Sequence, residues 1–360
     1  MNLKSKSIEI IKANQSSNGA YVACPNFETY KFCWLRDGSF TAYAMDLVGE
    51  YQSAELFYRW VDETIKKYGH KVDKLLRKKL NGETIAQTEF LSTRYTLDGF
   101  ESDDEWTNFQ LDGYGSWLWA LAEHVKLSRN KQLLSDFKES IQITVLYLTN
   151  FWDKPNYDCW EEFGDKIHTV TLACIYGGLK SIDILLSDLG VKKLLVDIKD
   201  FILCNCVVND RLIKFVGAAN TDASLLWVCQ PFGLLKPEDK IVKNTIKDIE
   251  TCLLHRGGVH RYPEDNYYGG GEWLLLSCWL GWYYCAAERT GEALEILKWV
   301  ENQTDREGLM VEQVTDHPNE PEYINIWIKR WGKVAKPLLW SHAMYLVLLT
   351  ELERSRNLIV

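Results

Sequence analysis

The chain has 360 residues, 46% of them hydrophobic, with 15 tryptophans, ten cysteines and a net charge of −9. That apolar content can fill a large core. With no Lys/Arg run longer than three, no phosphate-tracking surface is present and no nucleic-acid partner is expected. The N-terminus lacks the apolar region of a secretion signal, and the longest apolar run falls short of the roughly 18–20 residues of a membrane span. The expectation is a soluble cytoplasmic protein without a membrane partner.

Helical periodicity dominates the chain. Helices are expected over residues 3–14, 38–48, 50–68, 114–127, 132–150, 168–187, 191–205, 220–230, 238–254, 273–289, 291–303 and 338–354. They alternate in character. Gly113–Ala122, Ala223–Val228 and 273–287 are apolar nearly all round, whereas Tyr51–Lys67, Lys131–Asn150 and Pro237–Glu250 are amphipathic. A helix that is apolar all round must be covered on every face, and amphipathic helices do the covering. Six inner helices ringed by six outer ones, an all-α (α/α)6 barrel, satisfy that alternation. A (β/α)8 barrel would need eight Val/Ile-rich strands, which this sequence does not contain. Without a linker or a composition break, residues 1–360 read as one domain. Residues 84–112 form an unusually long connection rich in Thr, Tyr and Phe, and such loops in compact domains are commonly functional.

The cysteines sit mostly among apolar neighbours and read as buried thiols. Cys252 and His255 have ligand-like spacing but no second pair, so neither a metal nor any other cofactor is expected.

Polar clusters flanked by aromatic residues recur at about one per helical hairpin. They are Tyr30 with Trp34-Leu35-Arg36-Asp37, Trp106 with Gln110-Leu111-Asp112-Gly113, Trp160-Glu161-Glu162, Asp222-Ala223-Ser224, the loop 260–273, and Leu309-Met310-Val311-Glu312-Gln313. The loop 260–273 is the densest, with carboxylates, Arg261, aromatic rings and Gly269-Gly270-Gly271 running into a fifteen-residue stretch, Trp273–Ala287, that holds no charge. In an up-down barrel such loops converge at one end. Rings that stack on pyranose faces and charged groups that bind hydroxyls point to carbohydrate.

Taken in order, Trp-Leu-Arg-Asp, Gln-Leu-Asp-Gly, Trp-Glu-Glu, Arg-Tyr-Pro-Glu-Asp with its Tyr-Tyr-Gly-Gly-Gly-Glu-Trp tail, Glu-Gln and Pro-Leu-Leu-Trp-Ser-His-Ala resemble glycoside hydrolase family 15, the glucoamylases. The resemblance runs from about Tyr30 to Leu352. It implies an (α/α)6 barrel and an inverting, exo-acting α-glucosidase that acts on α-linked gluco-oligosaccharides and releases β-glucose. It matches Glu161 to the general acid and Glu312 to the general base. It matches Arg36 and Asp37 to the grip on the terminal glucose, and Tyr30, Trp106 and Trp273 to aromatic subsite walls. Glu162 and Arg261 match residues that reach the sugar beyond the scissile bond. Gln110, Asp112 and Asp222 are expected in supporting roles.

The chemistry agrees with the resemblance. Inversion requires two carboxyls about 6.5–9.5 Å apart, so they must come from opposite walls rather than from adjacent residues. An indole wall (Trp160) and a neighbouring charge (Glu162) are expected to keep Glu161 protonated, and polar company to keep Glu312 ionised. Taken singly the motifs read more blandly. Glu161-Glu162 resembles a solvated helix start, Arg36-Asp37 a helix-entry ion pair, and Asp112 and Asp222 N-caps. Glu264 and Asp265 read as turn braces, His342 as a core histidine, and Trp117, Trp119, Trp279 and Trp282 as packing. The glycines of the 260–273 loop are expected to let backbone approach the sugar. An α-1,6-specific glucosidase or a trehalase of the same family, a non-catalytic regulatory barrel and an inverting phosphorylase are the alternatives. Short intracellular oligosaccharides are the expected substrates rather than granular starch.

Overall fold

The computed structural model describes residues 2–187 and 189–357. Its helices are α1 (Leu3–Ala13), α2 (Leu35–Leu47), α3 (Tyr51–Leu80), α4 (Asp112–Ser128), α5 (Gln132–Asp136), α6 (Lys138–Phe151), α7 (Thr169–Leu186), α8 (Lys192–Asn205), α9 (Lys240–Cys252), α10 (Leu274–Ala286), α11 (Thr290–Asn302), α12 (Glu322–Trp331) and α13 (Leu339–Asn357). A short 3-10 helix spans Ala223–Val228.

The inner ring runs α2, α4, α7, the 3-10 helix, α10 and α13, and closes where α13 packs on α2. Outside it lie α1, α3, α6, α8, α9 and α11, each against its inner neighbours. The architecture is an (α/α)6 barrel, as the alternation of helix character predicts. Inner helices are apolar all round because each is covered by two ring neighbours and an outer helix: α4 and α10 bury nearly every residue. Of the inner helices, α7 is long and apolar enough to cross a membrane by length and composition alone. Here it is a stave of the barrel. It meets α4 backbone to backbone, because a Cβ on Gly115 would sit 2.4 Å from the Cys174 carbonyl oxygen, and one on Gly178 2.2 Å from that of Gly115.

Besides the helix expected over 50–68, which continues to Leu80 as α3, three expectations change. The helix expected over 132–150 breaks at Phe137, whose ring turns into the core. The helix expected over 220–230 is a single 3-10 segment, confined between the Asp222 cap and Pro231. The third change is α12, which the periodicity did not reveal.

Two-residue strands fasten the barrel mouth. β1 (Cys33–Trp34) pairs antiparallel with β2 (Arg94–Tyr95), and β3 (Val207–Val208) with β4 (Arg211–Leu212). A four-stranded sheet joins β5 (Leu254–His255), β6 (Gly258–Val259), β7 (Glu272–Trp273) and β8 (Gln313–Val314) in that order. In its register Trp273 lies opposite Gln313. β1 runs directly into α2, and β7 into α10, so the strands set where two inner helices begin.

Candidate active site

Five of the six polar clusters singled out in the sequence lie shortly before, or at the start of, an inner helix, and the sixth, Leu309–Gln313, lies on the long connection that leads to α13. All six inner N-termini therefore face the same end of the barrel, where their positive dipole ends favour carboxylates and hydroxyl oxygens. A cavity of about 550 Å3 opens there, within the roughly 300–1,000 Å3 of small-ligand pockets. Tyr30, Arg36, Asp37, Trp106, Glu161, Glu162, Arg261, Trp273 and Glu312 all line it. Glu161 stands on the connection into α7, the third inner element, and Glu312 on the connection towards α13, the sixth. In a ring of six, those connections enter at diametrically opposite points.

The Glu161 turn is tight. Glu161 and Phe163 have φ of +67° and +51°, a region non-glycine residues seldom occupy. Such strain persists only where the surroundings over-determine it. Asp158 does so: its Oδ1 accepts the Trp160 and Glu162 N–H groups at 3.0 and 2.9 Å, while its carbonyl accepts the Glu161 N–H at 2.9 Å. The Glu161 carboxylate takes Trp34 Nε1–H at 2.6 Å and Gln110 Nε2–H at 3.2 Å, both on Oε1. Oε2 has no hydrogen-bond partner among the described residues. Neither neighbour expected to act on Glu161 hydrogen-bonds to its carboxylate among the described residues. The Trp160 indole donates to Asp222 at 3.0 Å, and Glu162 turns to Tyr262, whose hydroxyl donates to it at 2.7 Å.

Glu312 is built differently. Only 2% exposed, it is fixed through its backbone, with its N–H on the Ala335 carbonyl at 3.0 Å and its C=O accepting the Leu274 N–H at 3.4 Å. Its Oε2 is buried without a hydrogen-bond partner among the described residues. Burial pushes the carboxyl up to about 8. Tyr30 and Arg261 work against that rise, Asp37 adds to it, and Tyr267 lowers it. The polar setting expected from Gln313 does not materialise, because Gln313 Oε1 is turned to the Gly271 N–H at 2.8 Å.

On the floor, Arg36 (4% exposed) donates to Gln110 and Asp112 at 2.9 Å each. Asp37 lies 3.5 Å from Arg36 Nε. Burial raises the Asp37 carboxyl to about 7 although Arg36 pulls it down. Arg261 is bound bidentately by Asp265, as the brace reading requires, and Glu264 is exposed and accepts from Asn220. Asp222 caps Ser224 N–H at 2.8 Å.

The three glycines of the 260–273 loop do not line the cavity. A Cβ on Gly270 would lie 2.1 Å from the Asp265 carbonyl oxygen, and one on Gly271 2.1 Å from that of Val314. Their smallness lets the loop lie against protein backbone rather than against a sugar. Sequence reasoning missed part of the rim, Trp327, Arg330 and Trp331, and quoted Tyr267 in a motif without giving it a role. Trp327 and Trp331 lie four apart on α12, which begins immediately after Pro321; that pairing was the available signal. Trp34, Trp160 and Trp340 were quoted as motif residues, and they line the cavity as well.

Residues 3–350 match the sequence profile described as "Glycosyl hydrolases family 15". The chain is 39% identical over 350 residues to an isomaltose glucohydrolase of Kribbella flavida, covering 95% of this chain and 90% of the relative. A single-residue variant of a glycosidase, solved in complex with glucose, superposes with a TM-score of 0.95 at 39% identity, covering 98% of this chain and 96% of that one. A bacterial glucoamylase complexed with acarbose shares the fold, with a TM-score of 0.76 at 19% identity over 98% of this chain and 55% of its own.

Proposed function

The chain belongs to glycosyl hydrolases family 15 and is a glycoside hydrolase, and from that premise we propose an inverting, exo-acting α-glucosidase of short α-1,6-linked gluco-oligosaccharides. The 39% identical isomaltose glucohydrolase supports the α-1,6 linkage over an α-1,4 linkage. In this reading Glu161 Oε2 protonates the glycosidic oxygen. Glu312 takes a proton from the water that attacks the anomeric carbon from the opposite face, and β-glucose departs. Asp37 and Arg36 hold the hydroxyls of the non-reducing sugar, and a charge-assisted bond there is roughly twice as strong as a neutral one. Tyr30, Trp106 and Trp273 wall the pocket, while Glu162 and Arg261 meet the leaving sugar.

One observation carries the proposal. Asp37, Glu161, Glu162 and Glu312, the guanidinium groups of Arg36 and Arg261, and the aromatic residues Tyr30, Trp34, Trp106, Trp273, Trp327 and Trp340 line a single cavity. Carboxylates and guanidinium groups bind hydroxyls through charge-assisted hydrogen bonds. Their convergence with so many rings in one cavity is complementary to a sugar.

Incubation with isomaltose, maltose, trehalose and maltotetraose, followed by proton NMR, tests the reading. Isomaltose is expected to be cleaved fastest, with β-glucose appearing first. Initial α-glucose would exclude inversion, and preference for trehalose or maltose would exclude the linkage.

A further inference from the structure

Behind the Glu161 turn lies a buried charge cluster in which Lys214, Asp158 and Asp222 have no part in the reaction just described. Lys214 follows β4 and is tied to the start of α7, its carbonyl accepting the Thr169 N–H at 3.1 Å. Lys214 is 5% exposed, and its ammonium sits over the Tyr262 ring, 3.6 Å from the centroid. Nζ stands 3.0 Å from Asp222 Oδ2, 3.5 Å from Asp158 Oδ2 and 3.7 Å from Glu162 Oε2. The approach to Asp222 is close but poorly aligned for a hydrogen bond, so the ammonium acts as a shared point charge among three carboxylates. Also facing the cluster are His168, with Nδ1 3.9 Å from Asp158, and Arg261, 3.5 Å from Glu162 and bound to Asp265.

We propose that Lys214 is a positioning residue for the Glu161–Glu162 turn, and through it for the sugar on the leaving side of the scissile bond. The inference rests on the glycosidase reading above and deepens it. Asp158 is the carboxylate that pins the Trp160 and Glu162 N–H groups and thereby holds Glu161 in its left-handed conformation. Asp158 and Asp222 are almost wholly buried. A buried charge left without its partner is among the costliest defects a core can carry. Without Lys214, Asp158 and Asp222 must protonate, or move apart. Either change loosens the turn that aims the acid. Glu162 loses a cation too: burial raises its carboxyl, Arg261 opposes that rise, Asp158 adds to it, and Lys214 and the Tyr262 hydroxyl oppose it. Burial likewise pulls the Lys214 ammonium down, but Asp222, Asp158 and Glu162 together outweigh it and keep it charged.

A merely structural lysine would affect every substrate alike, whereas this one should affect only those needing the acid and the leaving-sugar contact. α-Glucosyl fluoride needs neither, because fluoride leaves without a proton from Glu161 and presents no second sugar to Glu162. For Lys214→Met, kcat/KM on isomaltose is expected to fall about 30-fold or more, against about threefold or less on α-glucosyl fluoride. Lys214→Arg, which keeps the charge, should recover the isomaltose value to within about fivefold of wild type. If Lys214→Met does not fold, as judged by circular dichroism and thermal melting, the charge-balanced Lys214→Met/Asp222→Asn variant is read on the same two substrates. Equal losses on both substrates, or no loss on either, overturn the proposal. Failure of the wild type on both would instead overturn the glycosidase reading itself.

Discussion

Glu161 and Glu312 face one cavity from opposite sides, yet their walls are held by opposite means. Glu161 stands on a strained turn braced from behind by buried charge, with one carboxylate oxygen tethered to Trp34 and Gln110. Glu312 stands on a segment fastened by backbone pairing to β7 and by packing, with its carboxylate almost wholly desolvated. An acid that must deliver a proton to one oxygen benefits from a fixed direction. A base that must seize a proton from water benefits from a dry site that raises its basicity. The difference implies that the first wall is sensitive to loss of charge and the second to solvation and pH.

The largest effect should come from the carboxylates themselves. Glu312→Gln is expected to lower kcat on isomaltose by about 10³-fold or more with KM little changed, since the interaction removed acts in the transition state. A variant within tenfold of wild type would displace Glu312 from the base role.

An intermediate effect concerns pH. Burial places the Glu312 carboxyl at about 8, and a base must be ionised to work. The acid limb of kcat/KM is therefore expected above the ordinary glutamate range, with activity rising as Glu312 loses its proton. Tyr30 is the largest of the groups that pull Glu312 back down. Tyr30→Phe should move that limb to still higher pH. A limb at or below about 4.5, or one unmoved in Tyr30→Phe, would contradict the desolvated-base picture.

The smallest expected effect lies on stability. His342 on α13 accepts the Met310 N–H at Nε2 (3.1 Å), so its proton sits on Nδ1 and is donated to Ser7 Oγ at 3.0 Å. Burial lowers its pKa to about 3. A histidine depressed on folding stabilises above its unfolded value of about 6.5, and that contribution is lost progressively as pH falls towards 3. His342→Gln should cost roughly 1–3 kcal/mol at neutral pH and flatten the decline of the melting temperature between neutral and acid. An unchanged decline would show that acid sensitivity arises elsewhere, for instance in the first wall.

The alternation of all-apolar and amphipathic helices was legible because helical periodicity is local, and it implied the inner and outer rings. The order of the aromatic and carboxylate motifs was equally legible, and all nine residues they nominated line one cavity. Other features were not legible. α12 lacks a repeated apolar stripe long enough to stand out, so its two tryptophans went unread. The glycine run resembled a ligand cradle, because a sequence cannot say whether small residues face a sugar or a neighbouring carbonyl.

By itself, then, the sequence determined the fold class through helical periodicity, and it offered the pocket residues through ordered motifs that resemble those of the family. Only the tertiary structure decided how those residues are tuned. Which oxygen of Glu161 is free, why Glu312 rather than Glu161 is the desolvated carboxyl, and that Lys214 serves three carboxylates from separate segments all depend on burial and on distances between residues far apart in sequence. Electrostatic energies vary with both, and neither is written in any local pattern.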